Sequence, residues 1–194
     1  MPDRSRQLWL LPVLLITVIA TAVGGLLARF YYEDQGDEDQ GAVIPTQTSI
    51  PPSDRPGPKR VDGTPDAMDH PLYRTVRDLM QRQFDAINAK DYGAWLTTVT
   101  DERAADQPAA NWSTAYRSTQ DGSVIIYRIE LGDDDGTARV LMTFVSTQDE
   151  ADAPSELPVD CIQWSVVFPL IHDPDGWKLD RSPAGSSPQH ERCT

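Results

Sequence analysis

The spacing of apolar side chains changes character three times along this chain. Leu8 to Ala28, LWLLPVLLITVIATAVGGLLA, is continuously apolar and carries no charged residue. At about 1.5 Å of helical rise per residue it reaches roughly 31 Å, the hydrocarbon thickness of a bilayer. The segment predicts a transmembrane helix over 8–28 behind a short tail, 1–7. A cleaved secretory signal is the alternative, with Arg4 and Arg6 as its basic region and Ala20-Thr21-Ala22 as a small-residue site. The apolar run continues from Val23 to Ala28, which favours the anchor. From 29 to 69 large apolar residues thin out while Pro45, Pro51, Pro52, Pro56, Pro58 and Pro65 recur behind an acidic start. Such a stretch buries too little surface to offset its ordering entropy and predicts a flexible linker.

From 70 onward the period is helical. Leu72, Val76, Leu79, Met80, Phe84 and Ile87 recur at three- and four-residue spacing, which predicts one amphipathic helix of about 18 residues, with Pro71 in its first turn and Asp69 as its cap. Asp91 is placed to cap a second helix carrying Trp95 and Val99. A polar stretch follows from Asp101 to Pro108, then a short helical turn over Asn111–Tyr116. After Ser123 the period becomes twofold. Ile125, Tyr127, Ile129 and Leu131 are expected to face inward, with Val124 and Ile126 outward. Val140, Met142 and Phe144 continue the inward set, followed by Ile162, Trp164, Val166, Phe168 and Leu170, and finally Trp177 and Leu179. GDDDG at 132–136 and HDPDG at 172–176 mark turns. Helices followed by an antiparallel meander give an α+β domain over 70–182, with a tail over 183–194.

Charge narrows the partners. The net charge of −13 and a pI near 4.5 leave no basic cluster to neutralise phosphates, so nucleic acid is excluded as a partner. Arg4 and Arg6 before the apolar run, against Arg29 alone after it, orient the N-terminus to the cytoplasm and the domain outward from the cell membrane. In that exported part Cys161 and Cys193 are expected to pair as a disulfide that pins the tail, two independent thiols being the alternative. Asp133-Asp134-Asp135 lacks calcium-loop spacing, so no metal site and no cofactor are expected.

The phrase FDAINAKDYGAWLTTVTDE behind a long first helix, with a meander closing in GWKLDRS, resembles the nuclear transport factor 2-like (SnoaL-like) superfamily of cystatin-like cones. A basic tail, one membrane helix, a proline-rich tether and such a domain together resemble the mammalian-cell-entry (Mce) associated membrane proteins of actinobacteria. The resemblance extends more distantly to inner-membrane assembly factors of type IV secretion. It implies helices packed on a curved antiparallel sheet, and a non-catalytic assembly or binding module of a cell-envelope complex.

Enzymes of that superfamily use titratable groups inside the cone, because general acid–base chemistry needs a positioned group of tuned pKa. None of the expected inward strand positions is a carboxylate or a histidine, so catalytic residues are not expected. Two binding readings remain. One is a protein partner or second copy docking on the outer sheet face at Ile126, Leu141 and Val167, the alternative being that the C-terminal tail, drawn over by a Cys161–Cys193 bond, covers that face. The other is an apolar small molecule, a lipid or sterol, bound or modified in a cavity lined by Trp95, Trp112, Tyr127, Trp164 and Phe168, with plain core filling as the alternative.

Overall fold

The computed structural model describes residues 50–134, 136–183 and 188–194. The expected anchor, Leu8–Ala28, lies outside them, and no helix among the described residues is long and apolar enough to cross a membrane. Order begins earlier than expected. Residues 50–69, assigned above to the linker, contribute a 3-10 turn at Pro52–Asp54, a short strand β1 (Val61–Gly63) and a one-turn helix α1 (Pro65–Met68). Composition argued for disorder because Val61 and Ala67 are isolated apolar residues. Tertiary contact nevertheless buries both.

The helices follow as α2 (Tyr73–Ala89), α3 (Tyr92–Leu96), α4 (Asp101–Asp106) and α5 (Ala109–Ala115). The long helix is where periodicity places it, with Val76, Leu79, Met80, Phe84 and Ile87 buried along one stripe. Its start differs. Asp69 belongs to the turn after α1, which Thr64 caps by accepting from the Ala67 N–H, and His70 Nδ1 accepts from the Leu72 N–H. Asp91 caps α3 as expected, taking the Ala94 N–H at 2.9 Å. The stretch from Asp101 is helical instead of irregular. Thr100 caps it through the Arg103 N–H, and Asp101 and Glu102 sit favourably in its first turn.

Among the described residues six strands form one sheet in the order β1-β2-β3-β4-β5, with β6 also on β4. They are β2 (Gln120–Leu131), β3 (Thr137–Thr147), β4 (Cys161–Asp173), β5 (Gly176–Leu179) and β6 (Gln189–Arg192). All pairings are antiparallel except β1 with β2. Helix α2 lies against β1, β2 and β5. The core forms between it and the sheet residues Val140, Met142, Val166, Leu170 and Leu179.

Strand β2 overturns half of the expected inward set. Its pairing with β3 slips by one residue twice, between Gly122 and Ile125 and between Ile126 and Arg128. Each slip is a bulge, which reverses side-chain phase and bends the strand. Val124 and Ile126 therefore face the core, while Ile125 and Tyr127 are half-buried and Leu131 is 61% exposed at the strand's end. Ile129 is buried as expected.

Candidate functional site

The five aromatics expected to line one cavity lie at four separate places in the fold. Trp95 on α3 and Trp112 on α5 are fully buried with ring centroids 5.9 Å apart, and Tyr92 and Tyr116 lie 5.4 Å from Trp95 and 5.2 Å from Trp112 respectively. These rings knit the short helices together. Trp164 on β4 joins a second line, with Phe84 and Phe144 5.0 Å apart, Phe144 and Trp164 6.1 Å apart, and His190 of β6 5.0 Å beyond. Phe168 lies under the Arg103 guanidinium, 5.4 Å from ring centroid to Cζ. Tyr127 sits at the second bulge, where its carbonyl accepts from the Thr64 hydroxyl. The indole N–H groups of Trp95, Trp112 and Trp164 are buried with no hydrogen-bond partner among the described residues.

The opposite face of the sheet is built from alternate residues of β2, β3 and β4. Leu141 and Val167 are directly paired across the strands. Leu141 is half-buried and Val167 is 50% exposed, whereas Ile126, expected beside them, is 0% exposed on the core face because of the bulge at Tyr127. Ile125 takes its place, paired with Thr143, which in turn pairs with Ser165. The patch Ile125, Leu141, Val167 and Pro169 is thus interleaved with neutral hydroxyl side chains. At one end stand Arg128, Glu130 and Arg139, with Glu130 held by Arg139 at 2.8 Å and Arg128 at 3.5 Å.

At the other end the strap before β1 crosses β2. Pro56 and Gly57 carbonyl oxygens approach to within 2.8 Å of where a Cβ on Gly122 would stand, and Ser123 donates from both its amide and its hydroxyl to this strap. Only glycine permits that approach. Val145, paired with Gly122, is buried there.

A groove of about 610 Å³ runs between α4 and the β4–β5 turn, lined by Asp101, Glu102, Asp173, Asp175, Lys178 and Asp180 among others. Lys178 bridges Asp173 at 3.2 Å and Asp175 at 3.7 Å. Its hydrogen bond to Asp173 raises the ammonium pKa above the usual lysine value. Among the described residues no three His, Cys, Asp or Glu side chains converge as a metal-ligand set.

The cysteines pair: Cys161 opens β4, Cys193 follows β6, and their sulfurs are bonded.

Comparison with known proteins yields no matching family model and no matching curated protein. Among solved structures the chain is similar to the intermembrane space region of the chloroplast protein ARC6, at 12% identity and a TM-score of 0.41, covering 56% of this chain and 92% of that one. It is also similar to the Kfla4162 protein from Kribbella flavida, at 16% identity and a TM-score of 0.37, covering 58% and 88%.

One inward carboxylate lies outside the strand pattern predicted from the sequence. Asp121 is 2% exposed on the core face, where Ser146 Oγ donates to its carboxylate. Burial pushes its pKa up to about 6, against the opposing pull of the Ser146 hydrogen bond and the Lys90 charge. Asn88 at the end of α2 clasps the Asp121 backbone from both sides, donating to its carbonyl at 3.0 Å and accepting from its amide at 2.7 Å. Asp-Gly ahead of a strand reads as a turn, which hid it. The only sequence cue is that Asp121 and Ser146 fall opposite each other once the β2–β3 hairpin is registered.

Proposed function

We propose that this chain is a single-pass membrane protein whose extracytoplasmic domain, of the nuclear transport factor 2-like kind, is a non-catalytic binding and assembly module of a cell-envelope transport or secretion complex. The observation that carries the reading is the outer sheet face. Helices cover one side of the sheet and a strap covers one end of the other, yet Val167 is 50% exposed and its neighbours Leu141 and Ile125 are only half-buried in a neutral patch. Exposed apolar area rimmed by charge is the usual composition of a protein contact. The uncharged segment Leu8–Ala28 supports a membrane location, and the Cys161–Cys193 bond supports an oxidising compartment.

The test is a pair of charge substitutions, Leu141→Glu and Val167→Glu, in the full chain. Crosslinking in intact membranes is expected to lose its specific product, a homodimer or a defined heterocomplex, by about tenfold or more, with the circular dichroism spectrum retained. Unchanged crosslinking with both substitutions overturns the interface. Protease added to intact cells is expected to cleave the domain and spare the N-terminal tail; the reverse pattern overturns the orientation.

A second reading is an apolar small molecule with an acceptor oxygen, held at one of the buried indole N–H groups that have no partner among the described residues. Native mass spectrometry of the purified chain tests it by a copurified mass.

A further inference from the structure

Strand β4 serves two partners along a single edge. Its Leu170–Asp173 half pairs with β5 and its Ile162–Ser165 half pairs with β6. The two are held very differently. Leu179 anchors β5 in the core, whereas Gln189, Glu191 and Arg192 of β6 are exposed and His190 is half-buried. Beyond main-chain pairing, β6 is kept by polar contacts and one covalent bond. His190 covers the Trp164 ring at 5.0 Å with its Nε2 at 3.8 Å from the Glu156 carboxylate. Arg55 donates to the Thr194 main-chain oxygen at 2.7 Å, and the Cys193 N–H reaches the Cys161 carbonyl at 3.2 Å. The covalent bond is the disulfide.

We propose that the Cys161–Cys193 disulfide is a redox latch: reduction by a dithiol frees β6 and uncovers the β4 edge at Ile162–Ser165 as an addition site for an extended peptide strand. Attack comes from the side of Cys193, which is half-buried, while Cys161 is 4% exposed in the wall of a cleft of about 350 Å³. A thiolate of the dithiol bonds to Cys193 Sγ, the S–S bond breaks, and Cys161 leaves as a thiolate. The second thiol of the reductant then displaces Cys193. The dithiol ends as a disulfide, and its two protons end on the two cysteines.

With the bond gone, no buried apolar side chain holds β6. Its departure presents the amide and carbonyl groups of Ile162–Ser165 in extended form, the template that strand addition uses. It also uncovers Trp164, whose indole N–H has no partner among the described residues in the closed form. The pattern of β6 defines the occupant: an extended segment with one ring side chain over Trp164 and solvated polar residues on either side.

Amide hydrogen exchange and tryptophan emission of the full-length protein, oxidised against dithiothreitol-treated, test the release. Protection at Ile162–Ser165 is expected to fall by at least about tenfold, with red-shifted emission, while amides of β2 and β3 keep theirs. Unchanged protection overturns the latch, and so does loss across β2 and β3 together, because the bond then merely holds the fold. Strand addition is tested on the Cys193→Ser chain with a peptide of residues 188–194 and oxidised glutathione. The peptide is expected to couple to Cys161 about tenfold more than a scrambled peptide with cysteine at the same position. Equal coupling overturns it.

Discussion

Asp121 shows how one buried group sets a pH dependence. Its folded pKa of about 6 stands above the ordinary value of 3.8, so the neutral carboxyl is the form the fold prefers. Stability from this group is complete below pH 3.8 and is lost as pH rises through 6. The separation corresponds to about 3 kcal/mol at roughly 1.4 kcal/mol per pH unit. Asp121→Asn keeps the shape and removes the titration. Urea unfolding is therefore expected to show the variant gaining on the parent by about 2–3 kcal/mol between pH 4 and pH 8; parallel pH profiles would count against the assignment. Next to it, Gly122 is required for a different reason. A Cβ there would meet the Gly57 and Pro56 carbonyl oxygens at 2.7 and 2.8 Å, and backbone atoms move only if the whole strap moves. Gly122→Ala is expected to destabilise by about 2 kcal/mol or more, read from the shift in denaturation midpoint.

At the scale of elements, the two bulges of β2 and the strap before β1 act together. The bulges turn Val124 and Ile126 inward, where the parallel strand β1 pairs with them through Val61 and Gly63. Gln81 of α2 accepts the Val61 N–H at 2.8 Å, and Thr64 donates its amide to the Ile126 carbonyl at 2.9 Å. A chain starting at residue 70 lacks all of this. Such a truncation is expected to melt at least about 8 °C below a chain starting at residue 50, because it loses the buried Val61 and Ala67 and uncovers Val124. Equal melting temperatures by circular dichroism would place 50–69 outside the cooperative unit. The C-terminal element has the opposite character: β6 adds little buried apolar surface. Its disulfide closes a loop over a sequence separation of 32, a constraint worth about 3–4 kcal/mol in the chain-entropy model.

For the molecule as a whole, the α+β order, the stripe of α2, the Asp91 cap, the two strand turns and the pairing of the two cysteines were legible in the residues. Each depends on local chemistry or on counting: helical period, side-chain capping, turn composition, and a cysteine count of two. What the sequence could not carry was decided by contacts between distant segments. A bulge is one residue inserted against a partner strand, so neither Ser123 nor Tyr127 announces it, and an unbroken twofold period puts Ile126 on the wrong face. Proline-rich composition argued that 50–69 is free, yet backbone pairing to β2 and the tight passage over Gly122 order it without a run of apolar residues. The expected single aromatic pocket is dispersed over four places, because which rings meet depends on how α3, α5, β2 and β4 are brought together. Local sequence thus determined the elements and their caps. Tertiary structure alone decided phase, boundary and exposure, since those are properties of a pairing partner that a single segment does not contain.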